Sequence, residues 1–444
     1  MSPSPLARAR RTRELGLGLL AVLLTAGGYV LTALAEDPDM PAGIWGFLAV
    51  VVGLLLAAHL AVRRLAPRAD ATLLPLAALL NGLGFVAISR LDQDLAAAQA
   101  TWTAVGVGAF VATLLLVRRT RVLERYRYSF ALLGIVCLLA PLVPGIGREV
   151  NGSRLWVRAG PLNFQPGEAA KVLLVVFFAA YLVERRELLA AGNRRLGRLM
   201  LPDPRHLGPL ALAWGVSMVV MIQEKDLGSS LLFFAVFAAM LYMATNRAAY
   251  LLGGLVLFAA GASIAYQLFD HVQVRVETWL DPWADPQGTG YQILQSLFAF
   301  GTGGFAGTGL GLGSPDKIPN AATDFVFAAV GEELGLLGTV GMVIAFLLLV
   351  GSGYRIAVQA ERPFAKLFAA GLTTIVGVQT LLILGGVTRL IPLTGITLPF
   401  VSYGGSSLVA NFVILALLLR ISDETAADAE AEAPAARAVS AVTR

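Results

Sequence analysis

Long apolar runs of about 20 residues recur along most of this chain, and a run of that length spans the hydrocarbon core of a bilayer as an α-helix. Only 14% of the 444 residues are charged and 57% are hydrophobic, which leaves too little charge to cover the surface of a soluble protein. Because lipid offers no partner to backbone amides and carbonyls, the spanning segments must be helical. The sequence therefore predicts an all-α polytopic membrane protein.

Twelve candidate spans lie near residues 15–34, 44–62, 72–89, 99–117, 129–146, 169–183, 208–222, 229–245, 249–268, 326–351, 364–386 and 404–420. Basic segments precede the first span and follow the second, fourth, sixth, eighth and tenth. Since cytoplasmic loops carry an excess of Lys and Arg, this alternation predicts that both termini face the cytoplasm. Membrane orientation also explains the net charge of +5, so we expect no nucleic-acid partner.

The two ends of the chain differ from the spans. Residues 1–14 are basic and predict a cytoplasmic N-terminus. The first span also permits an alternative interpretation as a cleaved signal peptide, because Ala33-Leu34-Ala35 resembles a small-residue cleavage site. Residues 422–444 are rich in Ala, Glu and Arg and lack aromatic residues, so they predict a disordered cytoplasmic tail.

The large extracytoplasmic loop between spans nine and ten, residues 269–325, is the chemically richest outward segment. It contains Asp281 and Asp285, each followed by a proline that disfavours the α region for the preceding residue. Aromatic residues surround the two acids: Trp279, Trp283 and Tyr291. This composition suits a pair of solvated turns at the membrane interface, and it equally suits a binding cleft.

A dense run of glycines follows, from Gly301 to Gly313. No strand precedes it, so it does not match a nucleotide-binding fingerprint, and we interpret it as a close-packed or re-entrant loop. Glu332 and Glu333 then fall about two turns inside the tenth span, where carboxylates are costly and commonly functional. The alternative is a structural pair held by an arginine or by backbone groups.

Cations in the outward segments suggest an anionic ligand. Glu168 and Lys171 stand three residues apart and share one helix face, which is consistent with a simple ion pair. The functional alternative makes Lys171, with Arg154 and Arg158, an anion site. Arg389 lies in the last outward segment. Because outward segments need no basic residues for topology, we expect these cations to converge on one ligand.

Several strings in this order have a specific likeness: Asn151-Gly152 to Trp156, Phe164-Gln165-Pro166-Gly167-Glu168 with Lys171, Asp226-Leu227-Gly228, Asp285-Pro286 with Gly290-Tyr291-Gln292, Thr323-Asp324-Phe325, Glu332-Glu333-Leu334-Gly335, and Leu398-Pro399-Phe400-Val401-Ser402-Tyr403-Gly404-Gly405-Ser406-Ser407. Together they resemble the SEDS family (shape, elongation, division and sporulation) of RodA, FtsW and SpoVE proteins. The Thr388-Arg389-Leu390-Ile391-Pro392 string is similar to the actinobacterial RodA branch. Gly167 departs from the family pattern, which has serine there.

The resemblance implies a ten-helix SEDS core over residues 72–421, preceded by two additional transmembrane helices in residues 15–71. It implies a peptidoglycan glycosyltransferase that polymerises lipid II on the outer face of the bacterial plasma membrane during elongation and cell-shape maintenance. The implied partner is a class B penicillin-binding protein, a transpeptidase. The family's catalytic aspartate falls on Asp285. Candidate substrate-binding residues are Arg154, Trp156, Glu168, Lys171, Lys317, Asp324, Ser402 and Tyr403.

The chemistry of that reaction is compatible with a single carboxylate. The donor leaves as a polyprenyl pyrophosphate, which is already a good leaving group, so the carboxylate pair of hydrolases is not required. One base must take the proton of the acceptor 4-hydroxyl, and positive charge must lie near the pyrophosphate. A divalent cation, Mg²⁺ or Mn²⁺, can share that work, with Asp324 or Glu168 as ligands. The single Cys137 and three dispersed histidines give no metal motif.

Two other functions compete with this hypothesis. A lipid II flippase would also need a polar cavity and buried charges, although the polar residues cluster in outward loops rather than near the bilayer midplane. A scaffold that only recruits a partner enzyme gives Asp285 no role. Polymer formation in detergent, where there are no two sides to flip between, discriminates among the three.

Overall fold

The computed structural model describes residues 5–36, 44–150, 153–159, 162–190 and 226–442, together with short pieces between 194 and 218. Within these residues, ten helices are long and apolar enough to cross a membrane. The prediction of a helical, multi-pass membrane protein is confirmed.

The helices are α1 (Pro5–Glu36), α2 (Ile44–Leu65), α3 (Leu73–Leu91), α4 (Gln93–Leu116), α5 (Arg121–Arg125), α6 (Arg127–Leu139), α7 (Pro166–Ala190), α8 (Leu227–Thr245), α9 (Ala248–Leu268), α10 (Asp270–Leu280), α11 (Tyr291–Gly303), α12 (Val326–Gln359), α13 (Pro363–Val387) and α14 (Gly405–Val442). Single 3₁₀ turns cover Ala140–Leu142 and Pro315–Lys317. Short antiparallel strands form a sheet of β1 (Gly147–Val150), β2 (Ser153–Ala159) and β3 (Leu162–Phe164), and a pair of β4 (Arg194–Leu196) and β5 (Leu199–Leu201).

The predicted spans agree with the observed helices wherever the two can be compared. Ten of the twelve correspond to α1–α4, α7–α9 and α12–α14. The span near 129–146 corresponds to the shorter apolar helix Arg127–Leu142, which includes its 3₁₀ turn. The span near 208–222 lies almost wholly outside the described residues, so the total of twelve stays a prediction.

Helices α7, α13 and α14 form the centre of the bundle and are its most buried spans. α13 packs against α7, α8, α12 and α14. Lipid tails are as apolar as these side chains, so the helices are held by close packing and hydrogen bonds rather than by transfer out of water. Gly371 on α13 illustrates this, since a β-carbon there would lie 2.8 Å from Met240 of α8 and from Val175 of α7.

The N-terminal helices α1 and α2 pack against α3 and α4, the first helices of the predicted core. Most of their surface is exposed in the isolated chain, as is typical of helices at the edge of a membrane bundle. Hydrogen bonds among buried side chains join α1 to α2 near one end. Glu14 accepts hydrogen bonds from Arg11 and from His59, with 2.7 Å between Glu14 Oε1 and His59 Nδ1. Arg11 also donates to the carbonyl of Ala69, in the turn before α3.

The C-terminal segment is helical in the structure, where the sequence predicted disorder over residues 422–444. α14 continues through Val442, and its acidic side chains bind loops between earlier helices. Glu424 accepts from the amide and hydroxyl of Thr120 at 2.7 and 2.6 Å, and Asp423 accepts from the amide of Arg68 at 2.7 Å. Composition alone did not reveal this docking, because the partners are dispersed in sequence.

The segment that was predicted as one large loop, residues 269–325, contains α10, α11 and a 3₁₀ turn. Its glycine run wraps around an interruption of α12 at Gly335, where φ is 61° and ψ is −159°. The carbonyls of Glu332 and Glu333, which lose their helical partners there, accept from the amides of Thr308 and Gly309 at 3.0 Å. The prediction of a close-packed loop is confirmed, and these two amides are not free to cradle a phosphate.

The side chains of the two buried glutamates hold the same loop. Glu332 accepts from the amide of Ser314 at 3.0 Å. Glu333 lies 3.5 Å from Arg90 of α3, and Arg90 also donates to the carbonyl of Gly313 at 3.3 Å. Of the two interpretations of this pair, the structure supports the one in which an arginine and backbone groups stabilise it.

The glycine loop gives a matched pair of variants. Gly307 has φ of +83°, and a β-carbon there would lie 2.1 Å from the carbonyl oxygen of Glu333, whereas a β-carbon at Gly301 meets nothing within 4 Å. Gly307→Ala therefore combines backbone strain with a backbone clash and should destabilise the protein by roughly 2–4 kcal/mol. Gly301→Ala lies in a helix and should be neutral or slightly stabilising.

Thermal unfolding of the two variants in detergent measures this difference. A Gly307→Ala protein that melts with the wild type would show that the loop does not pack against α12 as described.

Candidate functional site

Asp285 lies on an exposed turn between α10 and α11. Its carboxylate accepts from the amide of Gly288 at 3.1 Å and from the amide of Thr289 at 2.8 Å. Glycine is required at position 290, because a β-carbon there would lie 2.0 Å from the carbonyl oxygen of Pro282. The turn thus folds back under the aspartate and fixes the orientation of its carboxylate while leaving it open to solvent.

A cleft of about 470 Å³ adjoins this carboxylate. Its lining residues are Val274, Glu277, Thr278, Leu280, Asp281, Ala284, Asp285 and Thr289. Three of them are acids and none is a cation. Trp283 stands beside the turn, exposed and packed edge-on against Phe298, with 5.9 Å between ring centroids. An exposed Trp of this kind suits the boundary between membrane and water.

A second polar centre is buried inside the bundle, and Lys171 of α7 is its first member. The ammonium of Lys171 is 3% exposed and lies 2.5 Å from Glu168 Oε2 and 3.0 Å from Gln379 Oε1 of α13. Gln379 in turn donates to the carbonyl of Thr397 at 2.7 Å. A buried lysine is stable only with such partners, so the ion pair and the amide together explain why this charge is tolerated.

Arg275 of α10 extends this polar centre. It donates to the carbonyls of Leu393 and Thr394 at 3.1 and 3.0 Å, and it attracts the buried carboxylate of Asp226 and the half-buried carboxylate of Asp324. Burial raises the pKa of Asp324 to about 6, although Arg275 opposes that rise. Burial also raises the pKa of Asp226, while the hydrogen bond from Ser229 opposes it. We call Glu168, Lys171, Asp226, Arg275, Asp324 and Gln379 the buried polar cluster.

The close approach of two segments makes this cluster. A β-carbon at Gly228, in the first turn of α8, would lie 2.6 Å from the carbonyl oxygen of Thr394. Gly395 has φ of +72°, and a β-carbon there would lie 3.6 Å from the guanidinium of Arg275 and 3.9 Å from Asp324. Glycine at both positions lets the backbone of residues 393–397 pass between α8 and the charged side chains.

The structure separates residues that the sequence had grouped. It links Glu168, Lys171 and Asp324 through the buried polar cluster, whereas Asp285 lies on its own cleft. The expected convergence of cations on one ligand is not seen in the described part of the chain. Arg154, on β2, is exposed and lies 3.5 Å from Glu149, and Lys317 is exposed in its 3₁₀ turn.

The remaining candidates have local structural contacts. Ser402 is buried, and its hydroxyl accepts from the amide of Leu398 at 2.9 Å. The amide of Tyr403 donates to the carbonyl of Ala322 at 2.8 Å. Trp156 is half-buried on β2, opposite Arg148 of β1. These contacts organise the loops around the site and do not by themselves indicate a ligand.

Sequence reasoning did not select Arg275, Gln379 or Asp226 as site residues. Gln379 had a usable signal, since a lone amide inside an apolar span needs a polar partner. Arg275 had a weaker one, because an arginine in an outward segment has no topological purpose. Their meeting with Lys171 depends on tertiary packing of α7, α10 and α13, which no local pattern encodes.

Removing Lys171 tests the ion pair. Lys171→Met leaves the Glu168 carboxylate without its cation in a mostly buried position, and breaking a buried pair from one side costs about 3–5 kcal/mol. We expect a lower melting temperature in detergent and less folded protein. The double variant Lys171→Met/Glu168→Gln should recover much of the loss. A single variant that melts with the wild type would show that the pair contributes nothing to stability.

Asp324 gives a pH-dependent prediction. Its folded-state pKa of about 6 is raised above the ordinary value of 3.8, so the folded state favours the protonated acid. The contribution of the Asp324 carboxyl group to stability is therefore fully present when the pH is below its ordinary pKa of 3.8. It is lost as the pH rises through the folded-state pKa of about 6. We expect the melting temperature of wild type to fall relative to Asp324→Asn between about pH 4 and pH 7, by the equivalent of roughly 3 kcal/mol. Parallel pH profiles for the two proteins would contradict this assignment.

The model of the FtsW/RodA/SpoVE cell cycle proteins matches residues 70–427. Peptidoglycan glycosyltransferase RodA of Mycobacterium tuberculosis is 46% identical over 430 residues, which cover 94% of this chain and 92% of that protein. The probable peptidoglycan glycosyltransferase FtsW of Geobacter metallireducens is 36% identical over 290 residues, which cover 65% of this chain and 74% of that protein.

Solved structures show the same fold. One matching chain belongs to a structure described as the structural coordination of polymerization and crosslinking by a peptidoglycan synthase complex. It gives a TM-score of 0.66 at 28% sequence identity, and the match covers 80% of this chain and 98% of that chain. The crystal structure of the rod shape determining protein RodA of Thermus thermophilus gives a TM-score of 0.57 at 26% sequence identity, and the match covers 80% of this chain and 96% of that chain.

The extent of these matches also bears on the N-terminal helices. The family model begins at residue 70, after α2, and the division into two added helices and a core stays a prediction. The mycobacterial match covers 94% of the chain, which leaves too few residues outside it to omit both added helices. The resemblance inferred from the sequence motifs is confirmed, and the chain belongs to the FtsW/RodA/SpoVE family of cell cycle proteins.

Proposed function

We propose that this protein is a peptidoglycan glycosyltransferase that polymerises lipid II on the outer face of the cytoplasmic membrane. The family and the names of its mycobacterial relatives support the activity, and their RodA identity supports a role in elongation and cell shape. The distribution of basic residues supports an orientation with both termini in the cytoplasm. The observation that carries the proposal is the exposed carboxylate of Asp285, held by two backbone amides beside a cleft.

In the proposed reaction Asp285 is the general base. Its carboxylate takes the proton of the acceptor sugar's 4-hydroxyl as that oxygen attacks the anomeric carbon of the donor. The bond from the anomeric carbon to the phosphate oxygen breaks, and the polyprenyl pyrophosphate leaves with the electron pair. A single displacement inverts the anomeric centre, so an α-linked donor gives a β-linked polymer. The amides of Gly288 and Thr289 keep the carboxylate oriented without closing it off from substrate.

The leaving pyrophosphate needs positive charge nearby. Among the described residues, however, the charged side chains that line the cleft are all acidic: Glu277, Asp281 and Asp285. A pyrophosphate that arrives with Mg²⁺ suits this lining, because proteins commonly hold Mg²⁺ through one or two carboxylates plus substrate phosphates. No group of three His, Cys, Asp or Glu within the described residues would hold the ion without substrate. Arg154 and Lys317 are exposed and do not line this cleft, so a phosphate contact by either residue would require a substrate that extends beyond the cleft.

The buried polar cluster has an indirect role in this proposal. Its members lie on α7, α10 and α13 and directly before α8 and α12, so the cluster is proposed to fix the relative positions of these helices. The proposed partner is a class B penicillin-binding protein that crosslinks the new strands. One solved relative comes from a peptidoglycan synthase complex that coordinates polymerisation and crosslinking, which supports such a partnership.

The two Asp-Pro sequences provide a test with its own control. Asp281 and Asp285 are both exposed, both line the cleft and both precede proline, but only Asp285 is held by the amides of Gly288 and Thr289. Asp285→Asn should lower the rate of lipid II polymerisation by about 10²–10⁴-fold, since amides do not accept the proton. Asp281→Asn removes a charge from the cleft lining but leaves the base in place, so it should lower the rate by only about tenfold.

The measurement is glycan polymer formed from purified lipid II in detergent, with and without the cognate transpeptidase and with a chelator. Wild-type protein that forms no polymer under any of these conditions would favour the flippase hypothesis. Equal loss of polymerisation in both variants would assign the effect to the charge of the cleft and remove Asp285 as the base.

A further inference from the structure

Arg389 lies two residues after the end of α13 and has a backbone conformation that is unusual for its residue type. Its φ is +61°, in the left-handed region that a residue with a β-carbon rarely adopts. Such strain persists only where the surrounding structure holds it, and it is concentrated at functional positions. The contacts of Arg389 therefore indicate what the strain achieves.

The side chain of Arg389 binds the C-terminal end of α10. Nε donates to the carbonyl of Trp279 at 2.8 Å, and Nη2 donates to the carbonyl of Leu280 at 2.6 Å. The indole Nε1 of Trp279 donates in return to the carbonyl of Arg389 at 3.1 Å. The last carbonyls of a helix have no partner within the helix and carry partial negative charge, so a guanidinium fork is well matched to them. We call these three hydrogen bonds the Arg389 clamp.

The clamp lies at the start of the turn that carries Asp285. The other end of that turn leads into α11, where the buried hydroxyl of Ser296 donates to the carbonyl of Val387 at 2.9 Å. Both helices that bracket the turn are therefore bound to residues 387–389, at the end of α13. The turn's own hydrogen bonds orient the Asp285 carboxylate within the turn, but they do not fix the turn relative to the bundle.

The helix on the other side of α10 offers little restraint. α9 has no buried residue along its whole length, and it precedes α10 directly. Arg275 is a second anchor of α10 and binds the carbonyls of Leu393 and Thr394 in the same segment that follows α13. Arg275 is about one turn of helix before the end of α10, so of the two arginines that hold α10, Arg389 lies nearer to the Asp285 turn.

We propose that Arg389 is a positioning residue for Asp285: by clamping the end of α10 to the end of α13, it places the carboxylate relative to the substrate cleft. The inference rests on the proposed function only for the role of Asp285 as the base. It also gives Arg389 a role other than binding the anionic ligand that the sequence suggested for it, because its side chain is committed to two carbonyls.

The test uses Arg389→Gly, which removes the fork and at the same time relieves the left-handed strain, so the variant should fold. Trp279→Phe removes only the returning indole hydrogen bond, and Leu390→Ala, at an exposed neighbouring side chain, is the matched control. We expect Arg389→Gly to lower kcat for lipid II polymerisation by about 10²-fold, since a misplacement of about 1 Å costs that much, with KM within about threefold of wild type. Trp279→Phe should have a smaller effect that is not additive with Arg389→Gly.

Amide hydrogen exchange of the full-length protein, followed by mass spectrometry, supplies a readout that does not depend on activity. Peptides covering residues 281–290 should exchange faster in Arg389→Gly than in wild type or Leu390→Ala, while the melting temperature stays near that of wild type. Unchanged exchange in this turn would overturn the inference, and so would a raised KM with unchanged kcat, which indicates a ligand-binding arginine. Wild-type protein without polymerase activity would remove the proposed function, whereas the exchange result would still decide whether the clamp exists.

Discussion

The structure depends on how backbone carbonyls are satisfied where helices stop or break within the bundle. Lipid supplies no hydrogen-bond donor and a packed interior admits little water, so a carbonyl freed there needs a donor from the protein. The break of α12 at Gly335 is repaired by amides of the glycine loop. The end of α10 is repaired by Arg389, and the irregular segment after α13 by Arg275 and Gln379. Arg420 does the same for the carbonyls of Leu65 and Leu114.

This constraint explains why cationic residues misled the sequence interpretation. An arginine in an outward segment suggests an anionic ligand, because topology does not require it there. Arg275 and Arg389 instead donate to carbonyls of a neighbouring segment, and Arg90 stabilises Glu333 and the glycine loop. The pairing follows from the tertiary fold, since the donor and the acceptor are more than 100 residues apart in each of these arginine-to-carbonyl contacts.

The sequence predicted the helices well because each apolar run has only one stable conformation in lipid. The glycine loop was also predictable, since small residues at high density indicate close backbone packing and Gly303, Gly307 and Gly335 show it. The C-terminal helix was not, because its stability comes from contacts such as Glu424 with Thr120. In the candidate site, Asp285 and Lys171 were selected from motifs, but their separation into an open cleft and a buried cluster needed the structure.

The central claim is that Asp285 takes a proton from the acceptor sugar at the open cleft. The most direct measurement is a structure of the Asp285→Asn protein with two lipid II molecules bound. The account predicts that the 4-hydroxyl oxygen of one sugar lies about 2.6–3.2 Å from the side chain at position 285, with the other molecule's anomeric carbon beside it. Saccharides bound instead at the buried polar cluster, with no hydroxyl near position 285, would contradict it.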